Sequence, residues 1–136
     1  MSQHTLTSHL YAAGEGVKQD YAQAATLFRR ACIAGEMPSC KNLGVLYLQG
    51  NGVAQDVSAA TTLFDKACTG GDGRTCAALA QALAEGSGGI TQDTKRAKAL
   101  YERAATLLQS ECDLGSGEAC SAVADIRLRQ KQLGTP

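Results

Sequence analysis

The sequence predicts an all-α fold: an α/α superhelical solenoid of helix hairpins, about seven helices in total, stapled by disulfide bonds. Three observations carry this prediction. Three pairs of cysteines, each pair separated by seven residues, recur along the 136-residue chain with a period near 36. A glycine-rich segment followed by an aspartate recurs with them, and apolar residues follow each aspartate at helical spacing. A repeat of this length is typical of solenoids, in which each unit contacts its neighbours.

The glycine-rich segments are predicted to connect helices. Glycine ends helices and permits positive φ angles, and an aspartate N-cap accepts hydrogen bonds from the free N–H groups of the first helical turn. Each aspartate is therefore predicted to begin a helix, named helix B. The three segments run from Gly14 to Asp20, from Gly50 to Asp56 and from Gly86 to Asp93.

The apolar residues of each helix B recur at spacings of three and four and so share one face, which in the third repeat carries Ala97, Leu100, Tyr101 and Ala104. A second helix, named helix A, is predicted to begin near the second cysteine of each pair. The first helix A is predicted at Thr5–Ala13, and the last helix ends in a polar tail, as a terminal cap should. In the third repeat, seven extra residues at 106–112 add about two turns to helix B.

These elements predict a single domain over residues 1–136. Its repeats are expected at about 3–37, 38–72 and 73–116, with a C-terminal capping helix at 117–133.

Composition excludes two classes of partner. The charges of thirteen basic and thirteen acidic residues cancel, and no long run of one charge occurs. The sequence therefore lacks the basic patch expected of a nucleic-acid binder. No stretch approaches the roughly 20 apolar residues that span a bilayer, so no membrane span is expected. The first six residues have neither a basic start nor an apolar centre. We expect either a mature chain whose signal peptide was removed or a chain that begins here inside the cell.

The spacing of the cysteines favours disulfide bonds within each pair. A tight antiparallel turn brings two Cα atoms within the roughly 4.4–6.8 Å that a disulfide needs. Structural zinc prefers pairs two to four residues apart, and free buried thiols are the remaining alternative. Disulfides imply a periplasmic or secreted protein, with the mitochondrial intermembrane space or the cytoplasm as alternatives. The expected pairs are Cys32 and Cys40, Cys68 and Cys76, and Cys112 and Cys120.

The segment from Leu43 to Asp56, followed by Ala60, resembles the Sel1-like repeat family, whose units read A-x-x-x-L-G-x-x-Y-x-x-G-x-G-V-x-x-D-x-x-x-A. The added pattern A-C-x-x-G-x-x-x-x-C is similar to the cysteine-rich subgroup typified by the Helicobacter cysteine-rich proteins. The third repeat departs from the pattern, with Gln81 to Ala84 reading QALA in place of the usual VLYL. The resemblance implies an α/α superhelix, one disulfide per complete repeat, and an adaptor role in protein assemblies.

Some cysteine-rich members are labelled β-lactamases or penicillin binders, which gives an alternative function by resemblance. A penicillin-recognising serine enzyme needs Ser-x-x-Lys, and no serine here has a lysine three residues on. The two histidines, His4 and His9, would point about 140° apart on a helix. We therefore expect no catalytic residue, no metal and no cofactor. An immunity or inhibitor protein for a secreted toxin is a further alternative.

The predicted binding surface is the concave face formed by the A helices, where short solenoids normally bind partners. A peptide or a helix of another protein suits this area, which makes a non-enzymatic adaptor or scaffold the preferred interpretation. The mixed charges suggest no single charged ligand, and the oligomeric state is open. The three predicted rows of contact residues are Asn42, Ala78 and Ala122; Val45, Gln81 and Asp125; and Gln49, Glu85 and Arg129.

Overall fold

The computed structural model describes residues 18–134, and this part of the chain contains helices and no strands. The predicted all-α, disulfide-linked fold is confirmed; the predicted helix at Thr5–Ala13 lies outside the described residues. The chain divides into a first compact unit, residues 1–66, and a second, residues 67–136. The repeat boundaries stay a prediction. The helices are α1 Lys18–Ile33, α2 Met37–Gln49, α3 Val57–Thr69, α4 Gly73–Glu85, α5 Thr94–Asp113 and α6 Gly117–Gly134.

Two of the three predicted aspartate N-caps form. The Asp56 carboxylate accepts a hydrogen bond from the Ala59 backbone N–H at 3.0 Å, and that of Asp93 accepts from the Arg96 N–H at 3.0 Å. The predicted cap at Asp20 is wrong. Asp20 lies inside the first turn of α1, whereas an N-cap residue needs a non-helical backbone. Its carboxylate still lies near the positive end of the helix dipole.

Two further caps begin the helices that follow the cysteine turns of the second unit. The Asp72 carboxylate accepts from the Thr75 N–H at 3.3 Å at the start of α4. The Ser116 hydroxyl accepts from the Ala119 N–H at 3.2 Å at the start of α6. Each cap therefore begins a helix four residues before the second cysteine of a pair.

The first unit packs α1 against α2 in antiparallel orientation. Its core contains Phe28 of α1 and Leu43 of α2, both almost fully buried. Gly44 gives room for the Phe64 ring of α3, since a Cβ at residue 44 would lie 2.8 Å from that ring. The turn after α2 approaches α1 closely at Gly52, whose φ is +75°.

The second unit packs α5 between α4 and α6. Arg74 at the start of α4 pairs with Glu111 near the end of α5. The Cys112–Cys120 disulfide joins the end of α5 to the start of α6, and Glu102 pairs with Arg127 midway along both helices, so adjacent helices are antiparallel. Helix α5 has 20 residues against 13 in α3. The sequence-based prediction that residues 106–112 lengthen this helix is therefore confirmed.

Each disulfide joins the end of one helix to the start of the next. The three bonds share a Cα–Cα distance of 4.7 Å and a sequence separation of 8. A glycine with φ near 100° lies in each turn: Gly35, Gly71 and Gly115. The first two bonds are buried, whereas the third is partly exposed. The bonded pairs are Cys32 and Cys40, Cys68 and Cys76, and Cys112 and Cys120.

Candidate functional site

A surface cleft of about 240 Å³ opens in the second unit, where α4 and α6 flank α5. Helix α4 contributes one wall, α6 contributes the other, and one tyrosine of α5 lies between them. The cleft is lined by Arg74, Ala77, Ala78, Gln81, Tyr101, Asp125, Ile126 and Arg129.

Helical spacing explains why these side chains converge. On α4, Arg74, Ala77 and Gln81 lie three and four residues apart and so share one face. On α6, Asp125 and Arg129 are four residues apart. Helix α5 brings Tyr101 between the two rows, where its side chain is almost fully buried. The short alanine side chains on α4 leave the space above this tyrosine open.

The charged and amide groups of the cleft are held by side chains from their own unit. The Arg129 Nε donates to the Asp125 carboxylate at 3.2 Å within α6. The Gln81 amide donates to the Glu85 carboxylate at 3.2 Å within α4. These bonds fix the polar rows of both walls in defined positions.

The Tyr101 hydroxyl is the polar group of the α5 side. Burial raises the pKa of Tyr101 above its ordinary value; Arg129 lowers this pKa less strongly, while Glu85 and Asp125 add to the rise. The hydroxyl is therefore protonated at neutral pH. The Arg129 guanidinium is a hydrogen-bond partner of this hydroxyl, which leaves the O–H free to donate and one lone pair free to accept.

The structure brings some of the sequence-predicted contact residues together. Gln81, Asp125 and Arg129 line the cleft with Ala78, and Glu85 is bonded to Gln81 at its edge.

Other predicted contact residues lie away from this cleft. Asn42, Val45 and Gln49 lie on α2 in the first unit, and Ala122 lies on α6 without lining the cleft. Asn42 and Val45 are partly buried, whereas Gln49 is exposed. Their part in binding stays a prediction.

Four lining residues were not among the predicted contacts. Arg74 and Ala77 lie seven and four residues before Gln81, so helical spacing alone could have found them. Ile126 is buried beside Asp125. Tyr101 was assigned to the packed face of helix B, which is correct for its ring, but its hydroxyl reaches the cleft. No sequence signal separates a packed tyrosine from one that also lines a surface cleft.

Residues 18–134 contain no group of three or more His, Cys, Asp or Glu side chains placed to hold a metal ion. The two histidines considered as metal ligands, His4 and His9, lie outside the described residues. None of the helices described between residues 18 and 134 is long and apolar enough to cross a membrane.

Comparison with known proteins gives a consistent pattern. The family model for the Sel1 repeat matches residues 6–36, 38–72 and 74–107. The structure of a Sel1 repeat protein from Oxalobacter formigenes superposes with a TM-score of 0.64 at 24% identity, covering 90% of this chain and 47% of that one. A protective antigen of uropathogenic Escherichia coli strains, with an SLR fold, has a TM-score of 0.64 at 30% identity and covers 94% and 26%.

Helicobacter pylori cysteine rich protein B is similar over nearly its whole length. The TM-score is 0.60 at 22% identity, with 89% of this chain and 90% of that chain covered. This chain spans about half of the Oxalobacter protein and about a quarter of the E. coli antigen. No curated protein matches the chain.

Proposed function

Because the chain belongs to the Sel1 repeat family, whose members are generally protein–protein interaction modules, we propose that it is a non-enzymatic adaptor or scaffold. Its docking position is the cleft of the second unit. The observation that carries this proposal is the convergence of Gln81, Asp125 and Arg129 around the buried Tyr101. Both helices supply polar side chains and α4 also supplies two alanines, which gives a partner both hydrogen-bond groups and space.

The size of the cleft favours part of a polypeptide over a small-molecule ligand. Pockets for drug-sized ligands measure roughly 300–1,000 Å³, whereas this cleft measures about 240 Å³. One or two residues of an extended peptide, or a side chain presented by a partner helix, fit such a volume.

The three disulfides support a location in an oxidising compartment, the periplasm or the cell exterior. Each bond closes a ring of nine residues and contributes on the order of 2–3 kcal/mol by the loop-entropy relation. Their sum is comparable with the roughly 5–15 kcal/mol stability of a typical domain. The protein would lose much of its stability where thiols are kept reduced.

The first unit is proposed to add a second set of contacts. Asn42, Val45 and Gln49 follow one another at three and four residues along α2, so they share a helix face. Gln49 is exposed, and the other two are partly accessible to a partner.

Site-specific photocrosslinking tests the docking position. A photoreactive residue replaces Ala78 in the cleft, and a matched variant carries it at Ala124, which is exposed on α6 but does not line the cleft. Both variants are incubated, disulfides intact, with the periplasmic and secreted proteins of the source organism. We expect a discrete protein adduct from position 78 and none from position 124.

Two outcomes would contradict the proposal. Equal adduct yields from both positions would mean that the cleft has no preference for a partner. An adduct from position 124 alone would place the interaction on another face of α6. A variant at Gln49 tests the first-unit contacts in the same experiment.

A further inference from the structure

Resting on the proposed docking function, we infer that the cleft of the second unit selects an uncharged peptide segment carrying a small aliphatic side chain. Charged side chains are disfavoured at this position. Three properties of the cleft lead to this inference: its charges are compensated internally, its polar groups match a peptide bond, and the rest of its lining is small and apolar.

The two guanidinium groups of the cleft already have carboxylate partners. Arg129 is bonded to Asp125 at 3.2 Å, and Arg74 lies 3.5 Å from Glu111, which is outside the cleft. Glu85 adds one carboxylate at the edge through its hydrogen bond from Gln81. The cleft and its bonded neighbours are therefore within one unit charge of neutral. A charged ligand gains little net Coulomb energy here and loses hydration on entry.

The polar groups that face the cleft include both donors and acceptors. The Gln81 amide donates one N–H to Glu85 and keeps its second N–H and its carbonyl, and the Tyr101 hydroxyl, which is bonded to Arg129, keeps its own O–H. A peptide bond presents one N–H and one C=O, which is the complement of such a pair. A carboxylate offers acceptors only, and an ammonium offers donors only. The cleft thus matches a neutral dipole on both sides.

The remaining lining residues are apolar, and most of them have short side chains. Ala77 and Ala78 of α4 and Ile126 of α6 supply the only fully aliphatic side chains among the lining residues. The two alanine methyl groups of α4 suit a side chain the size of alanine or valine. Burial of a small aliphatic side chain against this surface supplies the hydrophobic part of binding.

Capped pentapeptides of the form acetyl-Ser-Thr-X-Thr-Ser-amide, with valine, aspartate or lysine at X, test the inference. The intact protein is titrated with each peptide, and binding is followed by NMR through the backbone amides of Ala77, Ala78 and Gln81. The valine peptide is expected to bind about tenfold more tightly than the others. Tightest binding of the aspartate or lysine peptide at these amides would overturn the inference and leave the proposed docking site standing.

Charge variants test the compensation directly. Asp125→Asn leaves Arg129 without its carboxylate, so the aspartate peptide should gain roughly fivefold in affinity. Arg129→Gln should give a similar gain to the lysine peptide. Unchanged affinities of the aspartate peptide for Asp125→Asn and of the lysine peptide for Arg129→Gln would overturn the charge argument, and Ala124→Gln serves as a control on the same helix outside the cleft. Shifts confined to amides outside the cleft, or no shifts at millimolar peptide, would overturn the inference and the proposed docking site together.

Discussion

Removal of the Cys112–Cys120 disulfide is expected to cost less stability than removal of the Cys68–Cys76 disulfide. Both bonds close rings of equal length within the second unit, with a sequence separation of 8. They differ in burial. Cys68 is 1% exposed and Cys76 is fully buried, whereas Cys112 and Cys120 are partly exposed. Comparing the loss of these two bonds therefore separates two contributions to stability: the restriction of the unfolded chain by the cross-link, and the packing of the cysteines in the folded protein.

The magnitudes follow from these two contributions. Loss of a nine-residue ring costs roughly 2–3 kcal/mol for either bond, because the entropy gained by the unfolded chain depends on ring length. Replacement of a fully buried cysteine by alanine removes a sulfur atom from the core and costs about 1 kcal/mol more per residue. We expect roughly 2–3 kcal/mol for the Cys112→Ala/Cys120→Ala variant and about 4–5 kcal/mol for Cys68→Ala/Cys76→Ala.

Urea unfolding followed by far-UV circular dichroism measures both variants against the wild type under oxidising conditions. A second measurement uses mild dithiol reductant followed by thiol alkylation and mass spectrometry, in which Cys112 and Cys120 should be alkylated first because reductant reaches them. An equal or larger loss of stability in the Cys112→Ala/Cys120→Ala variant would refute the burial argument. Little loss in either variant would refute the loop-entropy argument itself.

Three further changes have expected outcomes. Gly52→Ala should lower the free energy of unfolding by about 3 kcal/mol or more, because the residue has positive φ and an added Cβ overlaps the backbone of α1. Gly35→Ala is the matched control, since Gly35 also has positive φ but has open space around its Cβ position. It should cost less stability in the same urea titration. Thr75→Val should raise stability by about 1 kcal/mol in thermal unfolding, because the buried Thr75 hydroxyl has no hydrogen-bond partner among the described residues. A lower melting temperature of the variant would mean that the hydroxyl does form a hydrogen bond in the folded protein. NMR titration should give Glu102 a pKa below its ordinary value, chiefly because Gln130 donates a hydrogen bond to its carboxylate. The stability that this bond adds is present above the ordinary pKa and is lost as the pH falls through the pKa of the folded protein. Gln130→Ala should raise the pKa of Glu102, and an unchanged pKa would contradict this cause.

The parts of the fold that the sequence predicted are those that depend on local spacing. Cysteines eight positions apart meet because a glycine with positive φ turns the chain back between the end of one helix and the start of the next. The caps at Asp56 and Asp93 follow from the residue type and its place before a helical pattern. The cap at Asp20 failed because α1 is already helical at Lys18, before the aspartate. An aspartate in the first turn is as favourable as one at the cap, so residue type alone does not separate the two positions.

The cleft was predictable only in part, for a different reason. Gln81 and Asp125 were selected because helical periodicity points them away from the packed face of their helices. Tyr101 belongs to the packed face of α5, and periodicity assigns it to the core. Its hydroxyl lies beside Arg129 of the cleft, and the neighbouring α4 contributes short side chains, including Ala77, to the same lining. That depends on the register of two helices in space, which spacing within one helix does not contain.

The disulfides and the cleft are connected through the small size of the core residues. The chain has no tryptophan and only two phenylalanines, and alanines make up much of the buried surface. Alanine lets helices approach closely but buries little apolar area, so hydrophobic stabilisation per residue is modest. The disulfides offset this by destabilising the unfolded chain. A helix face such as that of α4 then keeps alanines where a larger side chain would otherwise be needed for stability, and the space left above Tyr101 is the cleft. The small side chains that make the fold depend on its disulfides therefore also leave space in which a partner can bind.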